Sequence, residues 1–113
     1  MKYSVVFSSK TGNTQQLANA ITSLLPESDL IYFGPPSECA LQADRFYIGF
    51  WTDKGHCNAE IADFLKHLKG KDIFLFGTAG FGGSAEYFKK ILTAVEKYID
   101  SSNTVIGSYM CQG

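Results

Sequence analysis

The sequence predicts an α/β fold: one doubly wound domain built on a five-stranded parallel sheet with helices on both faces. Three observations predict it. Five short runs rich in β-branched and aromatic residues are apolar at consecutive positions instead of alternate ones, the pattern of strands buried on both faces. Segments with apolar residues at three- and four-residue spacing lie between most of them, the signature of helices packed on a sheet. The chain of 113 residues with 45% apolar content has room for one core and one domain, spanning 1–113. Right-handed crossovers then restrict the winding to a doubly wound topology.

Each element has its own signal. "YSVVF", Tyr3 to Phe7, is the first strand, and Leu17, Ile21, Leu24 and Leu25 mark the apolar stripe of the first helix. Leu30 to Phe33 is the second strand. The gap that follows, "GPPSECALQAD", holds two prolines and room for at most one helical turn. Phe46 to Trp51 is the third strand. The second helix carries Ile61, Phe64, Leu65 and Leu68, with Asn58 placed to cap its start by a side-chain oxygen and "LKGKD" supplying a glycine stop. Ile73 to Phe76 is the fourth strand. Ser84 is placed to cap a third helix bearing Phe88, Ile91, Leu92, Val95 and Ile99, and Thr104 to Met110 closes the sheet as the fifth strand.

Composition excludes several function classes. Ten basic and eleven acidic residues leave a formal charge of −1, so no large field points toward nucleic acid or an anionic membrane. The longest apolar runs, such as "IFLF", fall far below the roughly 20 residues that span a bilayer, and Met1 leads directly into a strand without a signal-like apolar region. A cytoplasmic protein is the expectation. Cys39, Cys57 and Cys111 are odd in number, widely spaced and without a C-x-x-C pair, which disfavours a disulfide framework or zinc site and predicts reduced, mostly buried thiols.

In doubly wound sheets, ligands bind beyond the carboxyl ends of the strands. The segments to inspect are therefore Ser8 to Thr14, Trp51 to Cys57, Thr78 to Gly83 and the end after Met110. The first, "SSKTGNT", feeds a helix start, where unsatisfied N–H groups and the positive end of the helix dipole suit an anion. Hydroxyls of Ser9, Thr11 and Thr14 add donors, Gly12 permits close approach of backbone, and Lys10 is the one formal charge. A nucleotide P-loop is absent because no glycine stands at the required spacing before Lys10. The plainer alternative is a helix-capping cluster with surface hydroxyls.

The second segment, "FWTDKGHCN", sets the single tryptophan, Trp51, at a strand end beside a polar turn. A flat apolar ligand would find there a stacking face worth about 0.5–1.5 kcal/mol beyond its buried area, although a lone Trp is more often core. The third, "GTAGFGGS", adds Phe81 among small residues. Gly80, Gly82 and Ala85 match G-x-G-x-x-A, but that dinucleotide fingerprint belongs after a first strand, not a fourth. No Ser-His-Asp grouping or paired carboxylate converges on these loops. His67 falls on a helix; His56 is either an exposed loop residue or a proton donor beside a ligand.

The run "FSSKTGNTQQLANAI" resembles the phosphate-binding loop and first helix of flavodoxins, whose T/S-x-T-G-x-T pattern is matched by Ser9, Thr11, Gly12 and Thr14. "GFWTDKG" and "GKDIFLFGTAGFGGS" are similar to the two ring-flanking loops of a flavodoxin-like subfamily, so the resemblance covers nearly the whole chain. It implies strand order 2-1-3-4-5 and noncovalently bound FMN. The phosphate would lie against Ser9, Lys10, Thr11, Gly12, Asn13 and Thr14. The ring would lie between Trp51, Thr52, Asp53, Lys54 and Gly55 on one side and Thr78, Ala79, Gly80, Phe81 and Gly82 on the other.

Among members, the chain is similar to the small flavodoxin-like proteins that accompany gut-bacterial bilirubin reductase. The resemblance therefore implies an electron carrier serving a redox partner protein, more than a stand-alone enzyme. The alternatives are a flavin-dependent NAD(P)H:quinone reductase and a flavodoxin-like activator of manganese ribonucleotide reductase. Two features depart from the family pattern. The charge is near neutral where long-chain flavodoxins are strongly acidic, and "YMCQG" ends the chain where a flavodoxin has a fifth helix. The expectation is that part of one sheet face stands bare, to be covered by a continuation of the chain or by a second copy in a homo-oligomer.

Overall fold

The computed structural model of the chain describes residues 1–80 and 84–112. In chain order its elements are β1 (Tyr3–Phe7), α1 (Asn13–Ser23), β2 (Leu30–Gly34), β3 (Arg45–Asp53), β4 (His56–Cys57), α2 (Ala59–Leu65), β5 (Asp72–Ala79), α3 (Ala85–Glu96) and β6 (Thr104–Gln112), with single 3-10 turns at Glu27–Asp29 and Glu38–Gln42. The five long strands are all parallel and lie in the order β2-β1-β3-β5-β6. The doubly wound fold read from the sequence, and the strand order implied by the resemblance, are those observed. The sequence's fourth and fifth strands become β5 and β6 because β4, a two-residue strand antiparallel to the end of β3, was not foreseen.

The sheet buries both faces because the middles of its central strands are apolar at consecutive positions. Val6, Phe46, Ile48, Phe50, Ile73 and Leu75 pack with Ile61, Leu65 and Leu68 from the α2 region and with Ile91 and Val95 of α3. On the opposite face Tyr3, Val5, Phe7, Tyr47 and Phe76 meet Ala18, Leu17 and Ile21 of α1. β3 and β5 are locked by two reciprocal pairs in the ladder, Gly49 opposite Phe76 and Phe50 opposite Gly77. A Cβ at Gly77 would stand 2.4 Å from the Phe50 ring, and one at Gly49 would stand 2.4 Å from the Phe76 ring. Each glycine is thus the seat of a facing aromatic ring.

Several expectations need correction. Ser84 caps α3 by accepting the Tyr87 N–H at 3.1 Å, but Asn58 makes no such bond at the start of α2. Its backbone N–H instead donates to the Trp51 carbonyl at 3.2 Å, and its Oδ1 is buried without a partner among the described residues. α2 also stops at Leu65, and Leu68 reaches the core from a tight turn closed by Leu68 N–H to Leu65 carbonyl at 3.2 Å, before Gly70 at φ 64° reverses the chain. Of the thiols only Cys57 is fully buried; Cys111 is partly so and Cys39 is exposed.

Candidate functional site

The loop after β1, the turn at the end of β3 and the end of β5 through Gly80 meet above the carboxyl edge of the sheet, as the reversal of winding between β1 and β3 requires. They enclose a cleft of about 250 Å³ lined by Lys10, Thr11, Trp51, Thr52, Asp53, Lys54, Thr78 and Gly80. All eight were singled out in the sequence. Of the remaining candidates, Ser9, Gly12 and Asn13 build the first loop, Gly55 completes the second, Ala79 is buried in the core, and Phe81 and Gly82 lie outside the described residues. A larger depression of about 480 Å³ between α1 and β2, lined by residues such as Asn19, Thr22, Glu27 and Phe33, presents no cation.

The first loop is held open by its own hydroxyls. Ser9 Oγ accepts the Gly12 N–H at 3.0 Å and the Gln15 N–H at 3.4 Å, and Thr11 Oγ1 accepts from Asn13 Nδ2 at 3.1 Å. Gly12 takes φ 92°, a left-handed conformation that side-chain-bearing residues resist, and so turns the loop into α1. The N–H groups of Asn13 and Thr14 open the helix and have no intrahelical acceptor. The first turn carries no carboxylate, which leaves the positive end of the helix free for an external anion.

Thr14 behaves differently from the other hydroxyls. It is 1% exposed; its Oγ1 donates to the Phe50 carbonyl at 3.4 Å and shares a 3.0 Å hydrogen bond with Thr78 Oγ1. The side chain that the sequence offers to an anion thus ties the start of α1 to the ends of β3 and β5. Its contribution at the loop surface is the backbone N–H.

The second loop is a tight hairpin. Thr52 pairs with Cys57 and Asp53 with His56, and the two connecting residues, Lys54 and Gly55, take φ 54° and 86°, values that suit a two-residue turn matched to the strand twist. The hairpin carries Lys54 and the backbone of Asp53 and Gly55 at the rim of the cleft. Thr52 Oγ1 lies buried with no hydrogen-bond partner among the described residues. Facing this hairpin, the Lys10 ammonium sits 4.9 Å from the centroid of the Trp51 ring.

Neither histidine lines the cleft. His56 donates from Nδ1 to the Cys57 carbonyl at 2.6 Å and packs its ring 5.9 Å from that of Tyr98, so the proton-donor reading for it is set aside. His67 donates to the Asp63 carbonyl at 2.7 Å on exposed surface. Burial pushes the Cys57 thiol up to about 11, which leaves it protonated and unreactive at neutral pH.

The donor set divides in two. Neutral N–H and hydroxyl groups with one lysine stand at the helix start, and an indole, an unpaired hydroxyl and hairpin backbone stand beside them. The first group suits a phosphate monoester and the second a flat heteroaromatic ring, so the residues present fit FMN. The Thr14–Thr78 link and the Lys10–Trp51 contact were missed in the sequence, since both join residues far apart in the chain. The β4 hairpin had one available signal, the Gly55 that follows Lys54 between two polar residues.

A family model described as a flavodoxin domain matches residues 4–113. The flavodoxin-like domain-containing protein BilS of Clostridium symbiosum (strain WAL-14163) is 40% identical over 130 aligned positions, covering 100% of this chain and 68% of that protein. The protein of the same name from Clostridioides difficile (strain CD3) is 33% identical, covering 100% of this chain and 66% of its own length. The chain thus spans about two thirds of the curated relatives it matches. The crystal structure of a flavoprotein in complex with FMN from Lactobacillus acidophilus NCFM superposes with a TM-score of 0.71 at 15% identity, covering 97% of this chain and 93% of that one, a likeness that speaks for the fold. With a family match over nearly its whole length and 40% identity to a curated member, the chain belongs to the flavodoxin-like family.

Proposed function

We propose that this domain binds FMN in the cleft above β1, β3 and β5 and passes reducing equivalents to or from a redox partner protein. The observation that carries this reading is the juxtaposition in one cleft of the Lys10–Thr11 loop, at a helix start without carboxylates, and the Trp51 indole. Membership of the flavodoxin-like family supports it, as does the FMN held by the Lactobacillus acidophilus flavoprotein of the same fold. Bound FMN supplies the one- and two-electron chemistry.

The chain's own residues bind and orient. N–H groups of the first loop and α1 hold the phosphate, Trp51 stacks on the ring, and the Asp53–Gly55 hairpin presents backbone and the Lys54 charge to its edge. The pocket-lining side chains among the described residues comprise no nucleophile paired with a base, which favours a carrier over a hydrolase or transferase. The partner is a reductase or an acceptor enzyme, and the likeness to the proteins that accompany bilirubin reductase makes an enzyme of that kind the first to try. With a net charge of −1, docking rests on shape and apolar contact more than on long-range steering.

The test is direct. Purified protein titrated with FMN should take up one flavin per chain, turn yellow and quench Trp51 fluorescence. NADPH alone should leave the bound flavin oxidised, and NADPH with an added flavodoxin reductase should bleach it. No uptake by folded protein overturns the reading. Bleaching by NADPH alone replaces the carrier with an NAD(P)H:quinone reductase.

A further inference from the structure

Lys10 belongs to the anion loop by its backbone and to the ring site by its head group. Its Nζ lies 4.9 Å from the centroid of Trp51, and the two residues line the same cleft. The ammonium therefore covers indole surface on which a flat ligand would stack. A cation held on an exposed aromatic face gains only about two- to fivefold over solvent, so the contact is easily displaced, but a ligand ring must displace it.

We propose that Lys10 is the residue by which this site selects a phosphorylated flavin over riboflavin, acting through Trp51 as well as through its charge. The inference rests on the FMN reading. When the ligand carries a phosphate, that group arrives at the start of α1 beside Lys10, receives the ammonium in a charge-assisted contact and draws it off the indole, so that the ring finds the stacking face uncovered. When the ligand lacks the phosphate, its ring must expel the ammonium to solvent with no anion to accept it. The same side chain thus attracts one ligand and competes with the other. Neutral donors of the loop do only the first, because Ser9 and Thr11 are engaged with Gly12, Gln15 and Asn13 and not with the indole. Asp53 and Lys54 also face the cleft, but their charges are present for both ligands at the ring end.

The experiment compares the chain with its Lys10→Gln and Lys10→Arg variants, each titrated with FMN and with riboflavin by quenching of flavin fluorescence and of Trp51 emission. Lys10 is exposed, so the fold is retained. In Lys10→Gln, riboflavin should bind about two- to fivefold more tightly and FMN on the order of tenfold more weakly, so that selectivity narrows from both sides. Lys10→Arg should keep the preference for FMN. A Lys10→Gln variant that loses FMN affinity without gaining riboflavin affinity overturns the proposal, for Lys10 is then a phosphate charge and nothing more. The underlying reading fails separately: if the unaltered chain takes up no FMN, both fall together. If it takes up FMN and riboflavin binds the variant no better, only the role of Lys10 is lost.

Discussion

The Thr14 hydroxyl donates to the Phe50 carbonyl and shares a hydrogen bond with the Thr78 hydroxyl, so one side chain couples the first loop to the ends of β3 and β5. Replacing it by valine keeps the shape and leaves the Phe50 carbonyl and Thr78 hydroxyl short of a partner in a site 1% exposed. Thr14→Val should cost about 1–2 kcal/mol, read as a lowered urea midpoint, and should weaken FMN binding more than riboflavin binding because the loop loses its anchor. Lys54 presents a different test. It is held at φ 54° at the turn of the hairpin, where a positive charge would favour the reduced, anionic form of a bound flavin. Lys54→Gln should lower the two-electron midpoint potential on the order of 20 mV. An unchanged potential in a spectroelectrochemical titration removes Lys54 from the account.

Among elements, β3 and β5 are joined by the reciprocal Gly–Phe pairs as well as by their ladder. Gly77→Ala would place its Cβ 2.4 Å from the Phe50 ring inside the core, and the ring has no solvent to retreat into. The expected loss is about 1–3 kcal/mol, measured by chemical unfolding; a neutral result would show that the strands shift to absorb the methyl group. The turns at the opposite end of the sheet are linked by polar groups. Asn103 accepts the Lys71 N–H at 2.9 Å and donates to the Leu68 carbonyl at 2.8 Å, and Ser102 Oγ accepts the Gly70 N–H at 3.0 Å.

Within this cluster the Ser102 hydroxyl and N–H, and then Lys69, hold the Asp100 carboxyl down to about 2. Its folded value lies below that of an unfolded chain, about 3.9, so the stabilisation is full well above pH 4 and is lost as pH falls toward 2. Asp100→Asn should lower the thermal midpoint at pH 7 and flatten its dependence on pH between 5 and 2. Parallel curves for variant and parent would exclude the carboxylate.

On the scale of the molecule, the two faces of the sheet are unequal. α2 and α3 cover one; among the described residues only α1 covers the other. On that second face Phe74 is partly buried, and Tyr109 of β6, opposite Phe76 in the ladder, is 51% exposed. β6 is also an edge strand of nine residues, and parallel sheets are stable when both faces are covered. We propose that in a homo-oligomer of the 113-residue chain a second copy packs face to face about a twofold axis and covers this surface. Light scattering should give twice 12.4 kDa, and Tyr109→Glu should return the monomer; a monomeric mass for the parent chain rules the pairing out. Among the described residues no helix is long and apolar enough to cross a membrane.

What the amino-acid sequence determined alone is local in origin. Consecutive apolar residues marked β1, β2, β3, β5 and β6, three- and four-residue spacing marked the helices, and Gly12 with its hydroxyl neighbours marked the anion loop, because each signal lies within one element or turn. The three segments that hold the eight cleft residues were marked because parallel topology sends every βα loop to one edge, and the resemblance to flavodoxins then named the residues. What only the tertiary structure decided depends on residues distant in the chain. Thr14 meets Thr78 across 64 positions, the Asn58 N–H reaches the Trp51 carbonyl, and Lys10 finds the indole. A side chain's pattern in sequence sets which face it prefers, but the partner it meets there is chosen by strand order and register.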